Sequence, residues 1–262
     1  IMSDELDLFS ELTEIEEQEL AKRNEAIQKI NQSRLIETNQ LLPKDRSMRT
    51  NSWVFSQVRK QLFSQPFIHS SIFNLKECQH IVNELIPQLT NEWTTLRHKA
   101  FPTIDIPLNT TPCLQYLIPI LYERLIEPII APYFGFGPSQ LGFRDVFLVL
   151  YDAENKKDGQ TGLAPHKDGS LISFNILINS PTDYEGGGTF FYTDTSSPTS
   201  NSTKKDGVLI KPSQQGDCVI HCGKILHQGV DITKGKRMII VGFIETFDTI
   251  KNDKMLPKLR NI

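Results

Sequence analysis

The 262-residue chain is 39% hydrophobic and 23% charged, which is enough apolar material for the core of one catalytic domain with an N-terminal extension. A formal net charge of -3 gives no general attraction to nucleic acid or to a membrane surface, so neither is an expected partner. No apolar run approaches the roughly 18 residues of a membrane-crossing helix.

The opening Ile1-Met2-Ser3-Asp4-Glu5 is acidic and lacks the basic and apolar regions of a signal peptide. Four scattered cysteines, Cys78, Cys113, Cys218 and Cys222, point to a reducing compartment rather than a disulfide scaffold. A cytoplasmic protein is expected, a nuclear one is compatible, and a secreted one is not. Cys218 and Cys222 flank His221, but their spacing suits a strand running into a turn at Gly223, and no second ligand pair follows to make a zinc site.

Residues 4–36 place Leu6, Phe9, Leu12, Leu20, Ile27 and Ile30 at near-helical spacing among charges. A long amphipathic arm is expected over 1–50. It packs on the domain or forms a homodimer contact, and 42–47 reads as a linker. The folded domain is expected over 51–262, from about Trp53 onward. Residues 66–73 are short, apolar and β-prone. Asn74 is placed to cap a helix running to Leu89, which Pro87 bends or ends. The segment 96–108 is extended and bounded by prolines. A second helix is expected over 111–134, broken or kinked at Pro119, Pro128 and Pro132 and ended by Gly135 and Gly137.

From Leu141 the pattern becomes β. Runs at 141–151, 171–178, 189–192, 208–210, 217–221 and 237–244 are separated by Gly-rich or polar turns. Helices followed by many short strands predict an α+β domain with a double-stranded β-helix, or jelly-roll, core over about 141–247 and supporting N-terminal helices.

The chemistry lies in that core. In a strand, His166 and Asp168 share a face, and Lys167 between them points away. With His227 they supply two imidazoles and a carboxylate, a facial set that leaves positions open on iron(II). Arg237 opens an apolar strand in which Arg237, Ile239, Val241 and Phe243 share a face. If that face is internal, the guanidinium needs an anionic partner, and a carboxylate held bidentately fits it. Asn175 is a lone polar residue in an apolar strand, so it needs either a ligand or a structural hydrogen bond. Tyr151 ends a strand, as an ordinary strand-end aromatic or as a ligand contact. His69, His80, His98 and His221 show no partner pattern and read as ordinary surface or core residues.

These motifs together resemble the prolyl and lysyl hydroxylase branch of the iron(II)/2-oxoglutarate dioxygenases. The resemblance rests on Tyr151, Pro165-His166-Lys167-Asp168, Asn175, Tyr184-Glu185-Gly186-Gly187-Gly188-Thr189, Gly216-Asp217, His227-Gln228-Gly229 and the Gly-x-Arg approach to Arg237. It covers about 141–247, and its nearest flavour is the catalytic domain of the collagen lysyl hydroxylases. It implies a hydroxylase of C–H bonds with iron(II) on His166, Asp168 and His227, and 2-oxoglutarate on Arg237, Tyr151 and Asn175. O2 is then the oxidant, with ascorbate as an accessory. The long polar loops 152–164 and 193–206 are the segments least like the family, and they are expected to rim the site, where loops commonly set specificity.

Three functions fit the sequence. One is a hydroxylase of a Pro or Lys side chain in an intracellular protein or peptide. The second is a hydroxylase of a free amino acid, small metabolite or nucleobase. The third is a non-enzymatic β-sandwich interaction module. A groove at the mouth near 101–108 favours a peptide, and a closed pocket favours a small molecule.

Overall fold

The computed structural model describes residues 65–134, 136–155, 159–192 and 207–252, with Gln18 and Lys22. The rest of the expected arm, its linker, the domain boundary near residue 50, the 193–206 loop and the tail from 253 lie outside the described residues. The elements run β1 (Phe67–His69), α1 (Leu75–His80), β2 (Asp105–Pro107), α2 (Leu117–Leu121), α3 (Ala131–Phe134), β3 (Leu141–Asp152), β4 (Leu163–His166), β5 (Ile172–Leu177), β6 (Tyr184–Gly186), β7 (Thr189–Tyr192), β8 (Gly207–Ile210), β9 (Cys218–Cys222), β10 (His227–Gly229), β11 (Ile232–Thr246) and α4 (Phe247–Asn252).

Asn74 starts α1 as expected. Its side chain accepts from the Glu77 amide while Glu77 accepts from the Asn74 amide, so two amides without helical partners are satisfied at once. The helical path then loosens into a π turn over Ile81–Leu85 and tightens into a 3-10 turn over Ile86–Leu89, where Pro87 lies in the first two positions. The second helix differs from the expectation at its start: hydrogen-bonded turns begin at Thr111, and regular α-helix begins only at Leu117. Its prolines go with an interruption of the α geometry. Pro119 falls in the first turn of α2, where an amide has no helical partner anyway, and Pro128 sits within a π-helical stretch, Tyr122–Ile130, that runs into α3.

The strands form two antiparallel sheets. One has the order β1-β9-β5-β11-β3-β2, with β6 also paired to β11; the other is β4-β10-β7-β8. Every predicted β run is a strand. Alternation then divides the large sheet into two surfaces. Even-numbered residues, among them Val146, Leu148, Phe174, Ile176 and Ile240, join the helices' Ile81, Leu121, Leu125 and Ile130 in the main core. Odd-numbered residues, Phe147, Val149, Tyr151 and Ile239, pack in a separate inner cluster with Leu177, Tyr184 and Ile232. This is why the β3 and β5 sequences read as nearly continuous apolar runs: helices cover one face and the second sheet covers the other.

A bulge interrupts the β11–β3 register between Phe243 and Ile244. Phe243 still pairs with Asp145, but Ile244 pairs with Phe143. Arg144 is the extra residue, and it turns Phe143 out of the inner face to meet Tyr122 and Phe174. Opposite Phe174, Gly242 leaves room for the ring, since a Cβ there would lie 2.2 Å from two ring atoms. Gly242→Ala is therefore expected to destabilise by about 1–3 kcal/mol through overpacking. A lower urea midpoint at constant m reads this out, and an unchanged midpoint would show that the ring is free to move.

Candidate metal and carboxylate site

Between the sheets lies a cavity of about 280 Å³. The large sheet contributes Tyr151, Asn175, His221, Arg237, Ile239, Val241 and Phe243, and the small sheet contributes His166, Thr189 and His227. Arg237, Ile239, Val241 and Phe243 line it together, as alternation predicts. The strand account of His166 and Asp168 needs a correction. β4 ends at His166, and Asp168 lies two residues beyond in extended chain, fixed instead by its amide donating to Gly223 O at 2.8 Å. Lys224 Nζ donates to the Asp168 carbonyl at 3.2 Å. Lys167 is exposed but still contributes to the cavity lining, so it does not simply point away.

The donor atoms of His166, Asp168 and His227 all lie within 4.8 Å of one another. β4 pairs His166 directly with His227 of β10, which is how residues 61 positions apart meet. His166 Nε2 is 3.3 Å from one Asp168 oxygen, and His227 Nε2 is 3.7 Å from the other. The opposite nitrogen of each ring faces a carbonyl: His166 Nδ1 to Ala164 O at 2.8 Å, and His227 Nδ1 to Ile225 O at 2.9 Å. A carbonyl only accepts, so each Nδ1 carries a proton, and in the neutral ring the Nε2 lone pair is the one turned toward the carboxylate. Acceptors face acceptors, an arrangement that a cation relieves.

Burial drives the His227 pKa from the ordinary 6.5 down to about 3, with His221 adding to the effect, and burial also lowers His221. The folded state thus keeps these rings neutral while the unfolded chain takes up protons below pH 6.5. Stability present above the ordinary pKa is lost as pH falls toward 3. The metal-free protein should show a falling urea midpoint from pH 7 to pH 4, shallower in His227→Asn. Equal slopes in the two proteins would remove His227 as the cause.

At the other end sits Arg237, 1% exposed. Its Nε and Nη2 are buried and make no hydrogen bond within the protein. The same guanidinium's charge opposes the burial that raises the Tyr184 phenol, and the Tyr151 ring lies 5.5 Å from its central carbon. The glycine turn predicted at 186–188 is a turn, and it fits around this side chain: Gly187 has φ +68°, and a Cβ there would lie 3.2 Å from Arg237 Cδ. Burial raises the Tyr151 phenol, which remains a donor. Asn175 reaches Thr189 only at 3.5 Å, and its Oδ1 is buried without a partner.

Two histidines read as ordinary line the cavity. His221 stands opposite Ser173 on β5, a juxtaposition set by long-range strand pairing. Along β9 His221 shares a face with Val219, which marks it as buried but not as a cavity residue. His98 belongs to a coil segment at the mouth, where Phe101 packs on the His166 ring at 4.9 Å. Arg97 anchors that segment to Asp105 and Asp145 at 2.6 Å each.

Comparison with known proteins adds the family. No protein-family model matches the chain. Procollagen-lysine,2-oxoglutarate 5-dioxygenase 1 from rat is 31% identical over 191 residues, and the chicken protein of that name is 29% identical over 186. Each alignment covers 66% of this chain and 23% of the relative. Over that stretch the chain is similar to these 2-oxoglutarate dioxygenases. It spans about a quarter of their length. Its fold is that of the 2-oxoglutarate/iron(II) oxygenases: the prolyl hydroxylase from Trichoplax adhaerens solved with a hypoxia inducible factor peptide matches at a TM-score of 0.52, with 11% identity, over 79% of this chain and 96% of that one. The carbocyclase SnoK from nogalamycin biosynthesis also gives 0.52, at 12% identity, over 73% and 84%. The chain thus has the α+β jelly roll expected from its sequence. Among its described residues no helix is long and apolar enough to cross a membrane.

Proposed function

We propose that the chain is an iron(II)- and 2-oxoglutarate-dependent dioxygenase that hydroxylates a Pro or Lys side chain of an intracellular protein. One observation carries the reading: a facial set of two imidazole lone pairs and a carboxylate shares its cavity with a buried guanidinium that has unused donors. His166, Asp168 and His227 would hold the iron, and Arg237 the distal carboxylate of 2-oxoglutarate. Tyr151 and Asn175 line the same cavity and offer a donor and an unfilled polar side chain to the cosubstrate. Iron with 2-oxoglutarate and O2 supplies the oxidation, giving succinate, CO2 and a hydroxylated carbon, with ascorbate as an accessory reductant. The protein binds and orients these groups, and the apolar wall of Val149, Ile239, Val241 and Phe243 keeps water from them.

A protein substrate is favoured by space. The cavity is at the small end of the roughly 300–1,000 Å³ typical of ligand pockets, and a dicarboxylate must also fit. What remains suits one side chain reaching in from a larger molecule. Intracellular placement rests on four cysteines, none of them paired. The test is succinate release by iron-loaded protein, supplied with lysyl and prolyl peptides or with free amino acids, metabolites and nucleobases. Peptide-stimulated release with a hydroxylated peptide supports the proposal. Stimulation by small molecules alone transfers the activity to them, and no succinate under any condition overturns it.

A further inference from the structure

His221 is unused by the reading above, yet it is 3% exposed and lines the same cavity. Its Nδ1 faces Cys222 O at 3.0 Å and so carries the proton. The lone pair is therefore on Nε2, which lies 4.0 Å from Oδ2 of Asp168. The ring is 4.4 Å from that of His227 and is backed by Phe191 at 5.0 Å. Three imidazoles thus present Nε2 lone pairs to one carboxylate, each with its other nitrogen tied to a carbonyl. A histidine kept only for packing has no reason to leave an acceptor facing an acceptor.

His221 is nevertheless outside the group whose donor atoms lie within 4.8 Å of one another. It stands beside the ligand set rather than in it. Two acceptors 4.0 Å apart, Nε2 of His221 and Oδ2 of Asp168, are spaced to receive the two hydrogens of one water molecule. We propose that His221 is a positioning residue for the metal site: its Nε2 accepts a hydrogen bond from a water shared with Asp168, fixing the carboxylate's direction and strengthening metal retention. The inference rests on the metal reading above.

Groups in this outer position typically change metal affinity by about 10–100-fold when removed. The experiment is a cobalt(II) titration of the full chain, followed by visible absorption, with wild type, Asp168→Ala, His221→Gln and His221→Leu. Gln and Leu are close in size, and only Gln keeps an acceptor, so any shared packing loss cancels between them. Thermal melting of the metal-free variants measures that loss separately. Expected are tight binding by wild type, a 10–100-fold loss in His221→Leu, and most of that loss restored in His221→Gln. Equal affinities of wild type and His221→Leu, or equal weakening in the Leu and Gln variants, overturn the role of His221. Absent binding by wild type, or wild-type binding by Asp168→Ala, overturns the metal reading itself.

Discussion

Asp168→Ala is expected to take 2-oxoglutarate turnover to background and to strip iron binding, while the chain keeps its fold. Asp168 is the one anionic donor of the set, and without it two neutral imidazoles face the ion. Loss of a direct ligand should exceed the roughly 100-fold upper range for a group that only supports a ligand. The fold persists because Asp168's structural bonds are made by its backbone. The amide donates to Gly223 O and the carbonyl accepts from Lys224, and alanine retains both. Removing the carboxylate also relieves its opposition to the Nε2 lone pairs of His166 and His227, so the metal-free variant should melt no lower than wild type. Iron content, succinate release and a melting curve on the same preparation decide it. Undiminished turnover in a folded, iron-loaded variant would sink the ligand assignment.

Arg237→Met gives the second large effect, split between two measurements. A hydrogen bond to a charged group contributes about 1.5–3 kcal/mol. Losing such an interaction with the cosubstrate carboxylate weakens 2-oxoglutarate binding by roughly 10- to 150-fold. Stability should move differently. A guanidinium buried with Nε and Nη2 unbonded carries an unrecovered desolvation cost, and replacing it with an apolar side chain of similar length removes that cost. Without ligand, the variant should therefore be as stable as wild type or more so. With 2-oxoglutarate at about 100 times its Kd, wild type gains about 2.7 kcal/mol, and the variant gains much less at that concentration. A variant that is destabilised without ligand yet keeps a wild-type 2-oxoglutarate titration would make Arg237 a structural residue.

Much of this site was legible because its residues carry their own local signals. Arg237 is a charge at the head of an alternating apolar strand, and alternation alone turned it inward with Ile239, Val241 and Phe243. The strands of the core announced themselves as β-branched and aromatic runs between glycine turns. Asp168 does lie beside His166, but what fixes it is a bond to Gly223, 55 residues away, rather than a strand. His221 was illegible because its neighbours in space, Ser173 and Asp168, come from other parts of the chain and share no spacing with it. His98 and Phe101 lie in coil, where no periodicity exists to assign a face. The prolines of the second helix signalled an interruption but not its form, a π-helical stretch from Tyr122 to Ile130 between two α segments.

The bulge at Arg144 bears on how this scaffold can change length. From Asp145 to Tyr151, and along the facing stretch of β11, one surface of the ladder faces the cavity and the other the helices. Inserting or deleting a single residue there would exchange the two surfaces, sending Arg237 or Tyr151 into the helix layer. Descendants of this fold can therefore lengthen those strands only in steps of two, or absorb an odd residue at Arg144, where the alternation is already reset. The connection between the end of β3 and the start of β4 carries no such parity rule, which leaves it as a place where insertions can accumulate without turning the cavity-lining side chains away.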